Sequence, residues 1–199
     1  GDTWQFDGAA WRLRTPSATP TARRGHAMVL DSTRARIVLF GGLDGSGNAL
    51  DDTWEWDGTT WLATNPANRP AARSGHALAF DPQRGRVVLF GGLFGFASLG
   101  LNDTWEWDGS TWTPMNPTTP PAARTEHALA FDGASGAVLL FGGATVPATT
   151  PFGDTWQWDG SQWTALAPAV TPAARANHAL VHDPVRGRTL LFGGRDASN

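Results

Sequence analysis

The chain of 199 residues carries a formal charge of −3 and no cysteine, which excludes disulfides, thiolate chemistry and a basic footprint for nucleic acid. No apolar run approaches the ~18 residues of a helical membrane span, and no polybasic stretch marks a membrane surface. It opens on Gly rather than Met, as expected of a processed form or an excised domain, and all fifteen of its basic residues are arginine.

In chain order the same pattern appears four times. DTW recurs with Trp4, Trp54, Trp105 and Trp156, and FGG with Phe40, Phe90, Phe141 and Phe192, both at intervals of 50, 51 and 51 residues. A fixed period of about 50 residues marks a repeat architecture. Each unit holds four strand-like segments, A to D, which in the second unit are His76–Asp81, Arg86–Gly92, Asp103–Asp108 and Thr111–Met115. All are short, β-branched or aromatic, and bounded by Gly, Pro, Asn or Asp, the composition of strands. No segment sustains a helical period.

The C–D connections carry Asp7-Gly8, Asp57-Gly58, Asp108-Gly109 and Asp159-Gly160 between strand patterns, the pair that favours a two-residue hairpin turn. A turn at Asp57-Gly58 would pair Trp56 with Thr59 and Trp54 with Trp61, and would place all three indoles on one face because strand side chains alternate. Each unit thus carries three clustered aromatics, with Phe6 replacing one Trp in the first, and this accounts for all eleven Trp. A buried Trp removes about 150–250 Å² from water, so the Trp content reads as structural. Four antiparallel strands in meander order, with an aromatic face that needs a neighbour, form the blade of a β-propeller.

The elements FGG, DTWxWDGxxW and PxARxxHA resemble the kelch repeat and cover essentially the whole chain. The paired glycines of that family match Gly41-Gly42, Gly91-Gly92, Gly142-Gly143 and Gly193-Gly194, and its Tyr and Trp positions match Trp56, Trp61 and their equivalents. The resemblance implies an all-β, kelch-type β-propeller of four-stranded antiparallel blades; the four repeats make it four-bladed where kelch propellers usually have six or seven blades, a single domain over residues 1–199. Its blades are expected at 26–64, 76–115 and 127–166, with a fourth split between 178–199 and 1–14 and closed by pairing of N- and C-terminal strands. Closure removes exposed edge strands, so a monomer is expected. An eight-bladed homodimer and a fragment of a longer array are the alternatives.

Strand parity places the short, repeated A–B and C–D turns on one rim and the variable B–C and D–A loops on the other, where binding is expected. The second B–C loop is apolar, with Phe94 and Phe96, and the third carries Phe152; these are the three aromatics outside the repeated positions, and an apolar rim patch suits a partner unless it folds back. Just before strand A stand Arg24 with Gly25, Ser74 with Gly75, Glu126 with Thr125, and Asn177 with Ala176, polar variety within a repeated frame. The resemblance implies a ligand site at this funnel mouth, and Arg24, Ser74, Glu126 and Asn177 suit a protein, a peptide or a small polar ligand. Drift at solvated positions is the alternative.

His26, His76, His127 and His178 recur behind Arg23, Arg73, Arg124 and Arg175. The histidines are expected to hydrogen-bond between blades and the arginines to pair with a repeated Asp or a loop carbonyl, rather than to form a metal ring, whose ligands must converge. His182 replaces an apolar residue and reads as a polar tip. Asp44, Ser46, Asn48, Asp52 and Glu55 have calcium-loop spacing, but Ala49 stands where the turn needs glycine. No cofactor, metal or nucleophile motif is present. The sequence therefore points to a non-catalytic binding module, with two alternatives: an enzyme using Glu126 as base beside Arg24, and a structural or designed scaffold without a ligand.

Overall fold

The computed structural model describes residues 1–95, 99–147 and 150–196. Every regular element in it is a strand. The chain opens with β1 (Thr3–Phe6) and β2 (Trp11–Arg14), a two-stranded antiparallel pair. A four-stranded meander follows, built from β3 (Ala27–Asp31), β4 (Arg36–Phe40), β5 (Thr53–Trp56) and β6 (Trp61–Thr64). The second meander contains β7 (Arg73–Ser74), β8 (Ala77–Asp81), β9 (Arg86–Phe94), β10 (Leu99–Trp107) and β11 (Trp112–Met115); β7 and β8 are one strand A, interrupted at Gly75, and both pair with β9. The third runs through β12 (Ala128–Asp132), β13 (Ala137–Phe141), β14 (Thr155–Trp158) and β15 (Trp163–Leu166). A final pair, β16 (Ala176–Asp183) and β17 (Arg188–Arg195), ends the chain.

The expected hairpin pairing is corrected by two residues, and its corner by one. Trp56 lies opposite Trp61 and Trp54 opposite Ala63, so the corner falls on Gly58-Thr59 rather than Asp57-Gly58. The side chain of Asp57 decides this, because its Oδ1 accepts from the amides of both Thr59 and Thr60, each at 2.8 Å. These bonds hold the Asp57 carboxyl at about 2, the Thr60 amide contributing most. Since pairing slips by an even number of positions, the three indoles still share one face.

Blades stack face to face. Val38 and Phe40 of the first blade pack with Leu78, Phe80, Leu89, Trp107 and Trp112 of the second, and Val88 and Phe90 of the second with Leu129, Leu140, Trp158 and Trp163 of the third. Both faces of a central blade are therefore buried, which is why Val87–Phe90 is a continuous apolar run instead of an alternating one. Indoles stitch the layers: Trp112 Nε1 donates to Thr53 Oγ1 at 2.9 Å and Trp163 to Thr104 at 2.8 Å. Trp107 and Trp158 donate to Glu55 and Glu106, which also receive Arg34 and Arg84 of their own blades.

The expected seal of the ring is not made. β1–β2 and β16–β17 are separate two-stranded sheets, and no ladder joins them among the described residues. Trp61 Nε1 donates to Thr3 Oγ1 at 2.9 Å, so β1–β2 sits against the first blade as a preceding blade would, while β16 packs on β12 at the opposite end. The A strands touch in the order β3, β8, β12, β16, and no comparable packing returns from β16 to β3. Among the described residues, three complete blades are thus flanked by a two-stranded sheet at each end.

Candidate functional site

The segment before each strand A is held by a repeated clasp. Arg73, fully buried, donates to the carbonyls of Ala71 and Gly91 and bidentately to Asp103 at 2.6 and 2.7 Å. Arg124 does the same with Asp154, and Arg23 with Asp52. Burial opposes ionisation of Asp52, Asp103 and Asp154, but the arginine and indole hydrogen bonds override it and leave all three carboxyls below the ordinary range. The expected Arg–Asp and Arg–carbonyl contacts are thus formed in three repeats. Among the described residues the Arg175 side chain makes only the carbonyl bonds, to Ala173 and Gly193.

Above the clasps, backbone groups link one blade to the next. Gly75 donates to the Gly25 carbonyl at 2.9 Å, Glu126 to Gly75 at 3.0 Å, and Asn177 to Glu126 at 2.9 Å. All four residues adopt left-handed backbone, with φ of 65°, 65°, 58° and 58° for Gly25, Gly75, Glu126 and Asn177. Glu126 and Asn177 are therefore equivalents of the two glycines. Arg24 and Ser74 stand one residue earlier, level with Thr125 and Ala176. The circle expected from sequence mixes two tiers.

All four candidates nevertheless line one cavity of about 430 Å³, the funnel mouth. Ser74 is buried, whereas Arg24 and Asn177 are exposed. No ion pair joins Arg24 to Glu126. Instead Glu126 Oε2 receives Arg195 Nη2 at 2.7 Å. Arg195 was not singled out by sequence reasoning; its signal is a cation directly after the paired glycines, where Leu43, Leu93 and Ala144 stand in the other units. The Arg24 guanidinium makes no ion pair among the described residues, so the mouth carries one uncompensated positive charge.

The histidines lining the funnel are corrected from the expected hydrogen bonding. His76 and His127 pack edge-on against Phe40 and Phe90 of the preceding blade, at 5.5 and 5.4 Å between ring centres; the Phe40 and Phe90 backbones lie close enough to favour the charged rings a little, but no ring nitrogen reaches hydrogen-bond geometry among the described residues. Burial, reinforced by Arg73 and Arg124, pushes both imidazoles down to about 3, so both are neutral at pH 7. His182 does more than tip a strand: its Nε2 accepts from the Gly133 amide at 3.2 Å, across to the third blade.

On the rim, Phe94 is half exposed at the end of β9, opposite Leu99. Phe96 lies outside the described residues. Phe152 is half-buried, with the Arg124 guanidinium 4.0 Å over its ring, and its carbonyl accepts from the Arg175 amide as those of Leu50 and Leu101 accept from the Arg73 and Arg124 amides. The Asp44 carboxylate is taken up by the amides of Ser46 and Asn48 and the side chain of Asn48.

Residues 2–194 match the family model of the KLHDC2/KLHL20/DRC7 Kelch-repeats domain. No curated protein matches the chain. With the repeated FGG and DTW elements, the four-stranded antiparallel blades and a family match over nearly its whole length, the chain belongs to the Kelch-repeat family.

Proposed function

We propose that this Kelch-repeat domain is a binding module and that its funnel mouth receives an anionic group of a peptide or small polar ligand. The observation that carries this is Arg24: exposed, without an ion-pair partner among the described residues, on a concavity whose own carboxylate, Glu126, is already occupied by Arg195. The neutral histidines below add no charge, so electrostatic complementarity favours a carboxylate or phosphate. Glu126 supports the same reading. A non-glycine residue in left-handed backbone costs about 1–2 kcal/mol, and glycine serves at this position in the first two repeats, so Glu126 is retained against its local cost. Phe94 and Leu99 supply an apolar shoulder on the same rim.

The test is a fluorescent peptide library with acidic residues at defined positions, titrated against the parent chain and Arg24→Ala. A charged hydrogen bond is worth about 1.5–3 kcal/mol, so the best acidic peptide should bind the variant about 10- to 100-fold more weakly, with an unchanged melting temperature. Equal binding to both proteins, or a fold destabilised by the exposed Arg24→Ala change, would rule the reading out.

A further inference from the structure

The left-handed residues at the funnel mouth follow a packing rule. At the first two blade joints, the left-handed glycine of one blade lies against the side chain that precedes the left-handed residue of the next. A Cβ on Gly25 would come within 3.3 Å of the Ser74 Cβ, and one on Gly75 would collide with the Thr125 hydroxyl. That hydroxyl is fixed in place, because it donates to the Gly75 carbonyl at 3.1 Å. The third joint has the same backbone link, with the Asn177 amide donating to the Glu126 carbonyl at 2.9 Å. Here the residue before Asn177 is Ala176, fully buried and without a hydroxyl. Loss of the hydroxyl is what leaves room for a side chain at 126, where the two preceding blades need glycine.

The strand register decides what that side chain meets. Ser74 lies opposite Leu93 and Thr125 opposite Ala144, whereas Ala176 lies opposite Arg195. Relative to the joint before it, Gly75, Thr125 and Ala144 thus become Glu126, Ala176 and Arg195, and the two charged residues pair, Arg195 Nη2 donating to Glu126 Oε2 at 2.7 Å. The consequence is electrostatic. Arg24 and Glu126 line the same cavity. A singly charged anion is matched there by Arg24 alone, while the second charge of a dianion meets the Glu126 carboxylate and finds Arg195 already neutralised.

Building on Arg24 as the anion receptor of the mouth, we propose that Glu126 is a specificity-determining residue that limits the funnel to singly charged anions, and that Ala176 is the positioning residue that admits it. Glycine at 126 would keep the backbone link and give Arg195 to the ligand, so the same scaffold would accept a dianion. The departure from the repeat at these three positions is therefore a selection for charge, written in one buried methyl group and one ion pair.

Two probes separate the charges: acetate, and methyl phosphate, a dianion at about pH 8. Each is titrated against the chain with the arginine Nε resonances as the readout. In the parent, Arg24 should bind acetate at least as tightly as methyl phosphate. Glu126→Gln should tighten methyl phosphate about tenfold and acetate by less than about threefold, with Arg195 now shifting alongside Arg24. Ala176→Thr should lower the melting temperature and move the preference the same way, because the added hydroxyl drives Glu126 out of place. Combining it with Glu126→Gly recreates the pairing of Gly75 with Thr125, and should recover the melting temperature but not the preference for acetate. A merely structural Ala176 would not separate the two, and a double variant that fails to recover would overturn its positioning role. With Arg24 responding, equal gains for both anions in Glu126→Gln, or no gain for either, would overturn the proposal alone. An Arg24 resonance that moves with neither anion in either protein would overturn the funnel reading together with it.

Discussion

At the scale of single residues, the clasp arginine and the buried histidine set the strongest constraints. Arg73 fills four hydrogen bonds from a planar fork that lysine cannot reproduce. Arg73→Lys should therefore cost about 2 kcal/mol in urea denaturation, while Arg24→Lys on the exposed mouth costs nothing measurable. Trp163 packs against Phe90 and Trp158 and donates to Thr104; Trp163→Ala should cost about 3–5 kcal/mol through the cavity left behind. The imidazoles of His76 and His127 are held at about 3 when folded against about 6.5 when unfolded. Below pH 6.5 the unfolded chain takes up protons that the folded chain refuses, so stability present above 6.5 is lost as pH falls towards 3, at up to about 1.4 kcal/mol per pH unit for each imidazole. The paired aspartates, whose folded pKa values are depressed, contribute stability that is fully present above their ordinary range near 4 and is lost only below it. The interval from pH 7 to 5 therefore reports on the histidines, and equal urea midpoints at the two ends would show that they protonate in the folded state.

At the scale of the element, nearly every strand was legible because period-two patterning, β-branched composition and Asp/Gly punctuation agree. The hairpin register was not, because Asp57 caps the turn with its side chain instead of occupying the corner, and the dipeptide alone does not distinguish the two. Phe152 has a backbone role that the sequence did not show. The carbonyl it offers to the Arg175 amide leaves no mark on side-chain type. The A–B turns offer a test of how far turn chemistry is optimised. Gly85, Gly136 and Gly187 adopt left-handed backbone there, and Ala35 holds the equivalent place with φ of 52°. Ala35→Gly should stabilise the chain by up to about 1 kcal/mol, the left-handed cost of alanine less the entropy of glycine. Gly91→Ala should do the opposite, since its Cβ would lie 2.8 Å from the Arg124 carbonyl; a loss of about 2–4 kcal/mol is expected.

At the scale of the whole molecule, the sequence revealed that the chain begins and ends in complementary half-blades, but not that they stand apart. Equivalence of halves is written in motifs such as DTW and FGG. The angle from one blade to the next is the summed result of many side-chain volumes in each layer, and no local pattern encodes it. The funnel candidates were legible as variation within a repeated frame, while their two-tier placement and the Arg195 partner depend on backbone that sequence does not display. The layered order has a kinetic consequence. Each blade touches only its neighbours, so opening free energy accumulates from contacts on two sides in the middle of the stack and falls towards each end. Amide hydrogen exchange under native conditions should then be graded along the chain: slowest across Val87–Phe90 in the second blade, whose four side chains are fully buried, and fastest in β1–β2 and β17, where Trp11 and Phe192 face solvent.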